Sequence, residues 1–143
     1  MQHKNFLIIL ICSLIGFMSC GKEPEKGEYK GVFVGKYLND SIYIQYTTEY
    51  YFEVTRSTKK ELRLMEKQSQ ITSILNKHKN DSIFGMIGFG SIFTPNENIS
   101  SGFNTVTVYG KYDKTSIYGK FITTFTDGNK EYASEGDFKL SLY

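Results

Sequence analysis

Cysteine and histidine, which commonly act as nucleophile, general base or zinc ligand, occur only four times in this chain. The two cysteines are Cys12 and Cys20, and the two histidines are His3 and His78. Cys12 lies within thirteen consecutive, mostly apolar residues that follow a weakly basic start, and a bilayer-spanning helix needs about 20. This pattern, with a small residue just before Cys20, predicts a cleaved signal helix over residues 1–19. Cys20 would then begin the mature chain as its one thiol, without a disulfide partner.

The four residues Phe17-Met18-Ser19-Cys20 resemble the lipobox of bacterial lipoproteins, with Phe where Leu is more usual. The resemblance implies acylation of Cys20, palmitate included, and a lipid anchor in the outer membrane. Each buried methylene of such an anchor contributes about 0.8 kcal/mol, so several acyl chains hold a domain stably at a membrane. Ordinary signal-peptidase cleavage nearby, without a lipid, is the alternative.

Residues 20–28 are expected to form a flexible tether, because they lack the apolar side chains that build a core. Within them, Lys22-Glu23-Pro24-Glu25 resembles the charged export signal that follows the lipidated cysteine in surface lipoproteins of the Bacteroidota. A solvated linker explains the same charges. A periplasmic and a surface-facing position at the outer membrane therefore both stay open.

No cluster of residues indicates catalysis or metal binding. His78, the single histidine of the mature chain, lies in a polar run before a turn, as a solvated loop residue would. Glu49 and Glu53 share a strand face but would lie about 13 Å apart at 3.3 Å per residue, beyond the roughly 5 to 9.5 Å of glycosidase carboxylate pairs. We therefore expect no catalytic residue, no metal site, no cofactor and no enzyme activity.

The charge balance argues against a nucleic-acid partner. The chain has seventeen Lys and Arg and fifteen carboxylates, and removal of Lys4 with the signal leaves sixteen bases. A net charge near +1 lacks the basic footprint that nucleic-acid phosphates require. The mature part is long enough for one domain with one core.

A repeated pentapeptide occurs as Asn39-Asp40-Ser41-Ile42-Tyr43 and Asn80-Asp81-Ser82-Ile83-Phe84. Asn, Asp and Ser side chains bond to nearby backbone groups, so the repeat predicts a turn before each of two strands. Asp-Ser-Ile also resembles the O-glycosylation sequon of exported Bacteroidota proteins, which implies glycans on Ser41 and Ser82.

Tyr109, Lys111, Tyr118 and Lys120 form an exposed pattern on two neighbouring predicted strands, on the face opposite the apolar residues. Cross-strand pairs of this kind commonly contribute to stability alone. The alternative is a binding platform for a glycan or a partner protein, because tyrosine presents a rigid amphipathic surface.

The elements that would position these residues are strands. From Ser41 to Thr55 most apolar residues have even numbers and most polar ones odd numbers, and this period of two indicates a strand. Strands usually have about five or six residues, so we expect a sharp bend or a hairpin at Thr47-Thr48. Further alternating segments separated by turn signals predict an antiparallel up-and-down meander. Residues 59–79 fit two strands or, near 60–77, one helix.

A weak repeat places a glycine between apolar or aromatic residues on one strand face. It occurs at Gly31, Gly35, Gly85, Gly110 and Gly119, and partly at Gly136. Such a glycine lets a strand coil or a second backbone come close, as closure of a small barrel demands.

The opening segment 27–33 and the closing segment 136–140 together resemble the lipocalin-like, calycin-type barrels of small Bacteroidota lipoproteins. The resemblance covers most of residues 27–143. It implies an all-β fold of about eight antiparallel strands, in a β-barrel domain over residues 29–143.

These features together predict a lipid-anchored, non-catalytic envelope lipoprotein, and leave two modes of action open. In the first, the barrel holds a small apolar ligand, since eight strands can enclose one. In the second, side chains fill the barrel, and its outer face or rim binds an envelope protein or a glycan.

Overall fold

The computed structural model describes residues 22–90, 104–127 and 130–143, which form a closed barrel. Each strand pairs antiparallel with the next one, and the last pairs with the first, so the predicted eight-stranded up-and-down barrel is confirmed. The strands are β1 Gly27–Asn39, β2 Ile42–Ser57, β3 Glu61–Glu66, β4 Thr72–His78, β5 Ser82–Phe89, β6 Asn104–Tyr112, β7 Ser116–Asp127 and β8 Lys130–Leu142.

The predicted signal helix over residues 1–19 and the predicted acylation site Cys20 lie outside the described residues. Among the residues that are described, none belongs to a helix with the length and apolar character needed to cross a membrane.

The ambiguous segment 59–79 forms the two strands β3 and β4, so the alternative of a helix near 60–77 is wrong. Leu62, Leu64 and Leu75 are fully buried in the barrel core, as alternation on strands permits. A helix here would leave β2 and β5 with unpaired backbone edges, whereas β3 and β4 supply both partners. Barrel closure therefore overrides the helix propensity of this segment.

Strand β2 is continuous, so the predicted hairpin at Thr47-Thr48 is wrong. Thr47 pairs with Val34 and Thr48 with Phe33, within an unbroken register between β1 and β2. The expected bend lies further along, at a register shift between Val54 and Arg56 in the pairing of β2 with β3. A bulge of this kind bends a strand without ending it.

Aromatic rings fill the described interior of the barrel around Phe33. The centre of the Phe33 ring lies 5.5 to 6.4 Å from five other ring centres, in edge-to-face, tilted or stacked arrangements. Rings at these distances are in contact. The five rings come from four other strands and belong to Tyr50, Phe52, Phe89, Phe121 and Phe138.

Two pairs of inward-facing glycines let neighbouring backbones approach closely. Gly110 pairs with Gly119 across β6 and β7, and Gly35 pairs with Gly136 across β1 and β8. A Cβ atom on Gly110 would lie 2.1 Å from the carbonyl oxygen of Tyr118, far inside van der Waals contact. The predicted structural role of these glycines is confirmed.

The barrel has two chemically different ends. We call the end formed by the turns at residues 58–60, 79–81 and 113–115 the amino end, because the chain enters the barrel there. The opposite end carries the turns at residues 40–41 and 67–71. At this opposite end the buried Glu66 carboxylate accepts hydrogen bonds from the backbone N–H groups of Gln68 and Ser69.

The segment expected to be a flexible tether contacts the amino end over part of its length. The backbone N–H of Glu25 donates to the carbonyl oxygen of Lys114 at 3.0 Å, and the Tyr29 hydroxyl donates to the Glu25 carbonyl at 3.0 Å. Pro24 is buried, and β1 begins at Gly27, two residues before the predicted start of the domain. Backbone hydrogen bonds and charged side chains attach this segment to the barrel. The search for apolar side chains in the sequence does not detect an attachment of this kind.

Two phenols are buried at opposite ends of the barrel. Burial raises the pKa of the Tyr29 phenol to about 12 and raises that of Tyr46 to about 12. The Tyr46 oxygen lies 2.6 Å from Ser134 Oγ, and that serine in turn donates to the Lys36 carbonyl. A phenolate at either position would be poorly solvated.

We predict that Gly110→Ala lowers the free energy of unfolding by about 2 to 3 kcal/mol, because its methyl group forces two paired backbones apart. Urea unfolding of the mature protein measures this. Lys111→Ala, one residue away on the outer face, is the control and should change stability by less than about 0.5 kcal/mol. Equal stability of Gly110→Ala and wild type would contradict the close approach.

We predict that stability falls as the pH rises from 10 towards 12. The unfolded phenol titrates near 10 and the folded one near 12, so the contribution of Tyr46 is complete below pH 10 and is lost above it. Its size is about 1 to 2 kcal/mol after allowance for solvent screening. Tyr46→Phe should weaken this pH dependence, measured by urea unfolding across that range, whereas Tyr43→Phe should keep it.

Candidate functional site

An open groove runs along the outer wall of the barrel over β7, β8 and β1. It consists of three adjoining cavities of about 450, 360 and 670 Å³, in order from the amino end. Asp137 lines the first and second cavities, and Lys36 and Glu135 line the second and third. Each volume lies in the range of small-ligand sites, about 300 to 1,000 Å³. We call these cavities together the outer groove.

The outer groove follows the glycine pairs of the barrel wall. Gly35 and Gly136 line the second cavity, and Gly119 lines the first. Because these residues have no side chain, backbone and core rings come close to them on the inner side. A Cβ atom on Gly136 would lie 2.1 Å from the carbonyl oxygen of Val34 and 2.8 Å from the Phe121 ring. Phe121, which is fully buried, therefore backs the second cavity from the core. The same glycines that permit a filled interior therefore shape the outer face.

The structure brings the four predicted surface residues together on one outer face. Tyr109 pairs with Lys120, and Lys111 pairs with Tyr118, on either side of the Gly110–Gly119 pair. Tyr109 and Tyr118 are 49% and 41% exposed. Tyr109, Tyr118 and Lys120 line the outer groove, whereas Lys111 lies beside it. Their place on the surface is as predicted, and their role in binding stays a prediction.

Two ion pairs bridge the strands that form the groove. Lys120 Nζ lies 2.6 Å from Asp137 Oδ1, between β7 and β8, and Lys36 Nζ lies 3.3 Å from Glu135 Oε1, between β1 and β8. The hydrogen bond to Asp137 raises the pKa of the Lys120 ammonium. All four side chains are largely solvated, so they can exchange water for a ligand's hydroxyl groups.

The third cavity adds an apolar component to the groove. Leu38, Tyr43 and Ile122 line it and are among the exposed large hydrophobic residues. Thr105, Thr107 and Thr124 also line this cavity. Apolar faces and hydroxyl groups thus alternate along its wall, so the third cavity can contact both the apolar and the hydrogen-bonding parts of a ligand.

Sequence reasoning missed the part of the groove that comes from β1, β2 and β8. Lys36, Tyr43, Glu135 and Asp137 are far from Tyr109 in the chain. Glu135 and Asp137 come near it through the pairing of β6, β7 and β8, whereas Lys36 and Tyr43 join the groove only because β1 closes on β8. The alternation in β1 and β8, where Tyr37 and Phe138 occupy inward positions, could have predicted this outward facing. Alternation does not reveal which outward residues become neighbours.

The pentapeptide repeats form turns before β2 and β5, as predicted, with Ser41 in the first turn and Ser82 as the first residue of β5. Asp40, Asn80 and Asp81 have φ values of 57°, 62° and 56°, in the left-handed region that Asn and Asp tolerate. Ser41 is exposed, and Ser82 Oγ donates to the Lys79 carbonyl at 2.8 Å. The turn prediction is confirmed, and glycosylation of the two serines stays a prediction.

The other titratable residues considered in the sequence lie apart from the groove lining. His78 is exposed at the end of β4, and Glu49 forms an ion pair of 2.9 Å with Lys30 on the outer face. Within the described part of the chain, no group of three His, Cys, Asp or Glu side chains is placed to hold a metal ion.

No family model matches this chain, and neither a curated protein nor a solved structure is significantly similar to it.

Proposed function

We propose that this chain is a lipid-anchored, non-catalytic envelope protein of the outer membrane, whose filled barrel binds a glycan in the outer groove. The observation that carries the proposal is the combination of a ring-filled interior with a concave outer wall lined by tyrosines and cross-strand ion pairs.

The packing around Phe33 favours an outer site over an apolar ligand inside the barrel. Rings from five strands contact one another across the described interior. A ligand there would have to displace several buried aromatic side chains, each of which contributes a few kcal/mol to the core. The outer groove requires no such displacement.

The lining of the outer groove fits the amphipathic chemistry of a saccharide. A sugar ring has an apolar C–H face, which packs on exposed rings such as Tyr43, Tyr109 and Tyr118. Its hydroxyl groups both donate and accept, which matches a carboxylate beside an ammonium, as in Asp137 and Lys120. Three cavities in line suit several sugar units. A protein partner is the alternative that a binding experiment must distinguish.

The proposed anchor rests on the sequence around Cys20. It is the one thiol that remains after signal cleavage, and the residues before it resemble a lipobox. Acylation there would hold the glycan-binding groove at a membrane surface. The periplasmic and the external leaflet are both compatible with this arrangement.

We predict that Cys20→Ser abolishes lipid attachment and releases the protein from the membrane fraction. Intact-mass measurement of wild-type protein should show a mature chain that begins at Cys20 and carries the added mass of acyl groups. Cys12→Ser, which changes the other thiol within the signal, should leave both lipid mass and membrane fraction unchanged. A wild-type chain without added lipid would refute the anchor.

We predict that Tyr109→Ala weakens glycan binding about fivefold, because it removes one stacking surface, and that Asp137→Asn weakens it about tenfold, because it removes a charged acceptor. A glycan array screened with the detergent-solubilised mature protein identifies the ligand, and calorimetry measures its affinity. Tyr51→Ala, an exposed tyrosine outside the groove lining, is the matched control.

Thermal unfolding of each variant verifies that the barrel remains folded. Glycan affinity that is unchanged in both groove variants would refute the groove as the site. Capture of a protein, with no glycan bound, would refute the glycan and favour a protein partner.

A further inference from the structure

The amino end of the barrel contains a buried cation. The Lys77 side chain has no solvent exposure, because it occupies the inward position that follows Ser73 and Leu75 on β4. Its ammonium group donates to Ser57 Oγ at 2.8 Å and lies 4.6 Å from the centre of the Tyr112 ring. A buried ammonium is strongly unfavourable unless a carboxylate accompanies it.

Glu23 supplies that carboxylate from the segment that precedes β1. Its side chain forms an ion pair with Lys77, and Ser57 Oγ also donates to it. Two further contacts attach the same segment, an ion pair between Lys114 and Glu25 at 2.9 Å and the hydrogen bond from the Tyr29 hydroxyl. Residues 23–25 are therefore held against the amino end at several points.

The position of this segment limits the distance between the barrel and the proposed anchor. Cys20 precedes Glu23 by three residues, and three residues span at most about 11 Å when fully extended. An acyl group on Cys20 must therefore enter a bilayer close to the amino end. The opposite end of the barrel can lie nearer to the bilayer than the amino end only if Glu23 is released from Lys77.

The amino end also carries exposed lysines without a counter-charge. Lys26, Lys59, Lys60 and Lys79 are exposed, and within the described residues none of them forms an ion pair. The side-chain carboxylates of this end have other partners. Glu61, next to Lys60, pairs with Arg56 and Arg63. Asp81 pairs with Lys22, Glu25 with Lys114 and Glu23 with Lys77, and the Asp113 side chain accepts the backbone N–H groups of residues 115 and 116.

We propose that the amino end of the barrel lies against anionic phosphate headgroups of the membrane that holds Cys20. This inference rests on the proposed acylation of Cys20 and extends it, because it assigns the orientation of the domain. Lys26, Lys59, Lys60 and Lys79 contact the headgroups, and the outer groove on the side wall stays open to solvent. The short, attached segment and the basic amino end both favour this orientation of the domain.

Fluorescence energy transfer from the barrel to labelled lipid tests this orientation. The full chain, purified in its acylated form, is reconstituted into phosphatidylcholine vesicles with or without phosphatidylglycerol. Because the mature chain has no thiol except Cys20, an added cysteine takes the donor dye at one site. Thr115→Cys places the dye at the amino end, and Ser41→Cys places it at the opposite end.

We expect transfer to be several-fold stronger from position 115 than from position 41, and the difference to increase when phosphatidylglycerol is present. Each lysine near an anionic surface contributes about a fivefold factor in association. The triple variant Lys59→Gln, Lys60→Gln and Lys79→Gln should lose that increase, and so should wild type at high salt. Inorganic phosphate in the buffer should not replace the vesicle effect.

A matched triple variant removes the same charge elsewhere. Lys36→Gln, Lys67→Gln and Lys130→Gln lie on the outer wall and near the opposite end, and this variant should keep the increase. Equal transfer from positions 115 and 41 in anionic vesicles would overturn the proposal, as would an increase that the amino-end triple variant preserves. Intact mass separates these results from failure of the anchor itself, because an unacylated chain is identified before reconstitution.

Discussion

The contact of aromatic rings around Phe33 is the constraint on which the rest of the molecule depends. One ring from β1 touches rings from β2, β5, β7 and β8, so the strands are held together through the core as well as through their backbone ladders. Rings of this size fill the space only if other inward positions carry no side chain. The glycine pairs Gly35–Gly136 and Gly110–Gly119 meet that requirement, and the wall coils towards the core where they lie.

Because side chains fill the interior, the proposed binding site lies on the outer wall of the barrel. Two of the three cavities of the outer groove are lined by these glycines, the first by Gly119 and the second by Gly35 and Gly136. The outward neighbours of the paired glycines belong to the lining, with the exception of Lys111. Tyr109 and Lys120 are direct examples, since they are the partners next to Gly110 and Gly119 in the register of β6 and β7. Core packing and the candidate site are thus two consequences of the same glycines.

Polar groups complete the barrel core at both ends. At the amino end the buried Lys77 is paired by Glu23, and at the opposite end the buried Glu66 accepts two backbone N–H groups of its own turn. The described residues contain no buried side-chain nitrogen or oxygen without a hydrogen-bond partner, as expected when each such loss costs about 1 to 3 kcal/mol. Glu23, the partner of Lys77, lies only three residues after Cys20. The pairing would therefore also keep a lipid on Cys20 close to the amino end.

The amino-acid sequence by itself determined the strands, the facing of the side chains and the structural role of the glycines, because a period of two and the lack of a Cβ atom act locally. It also determined the turns that precede β2 and β5, where Asp40, Asn80 and Asp81 adopt left-handed backbone. The tertiary structure alone decided that residues 59–79 are strands and that β2 passes Thr47 without a break, since both outcomes depend on the neighbour that closes the barrel. It alone decided that Lys36 of β1 lines the same cavity as Tyr109 of β6, and that Glu23 forms an ion pair with Lys77. These contacts join residues far apart in the chain, and no local pattern specifies which outward or terminal charges barrel closure will bring together.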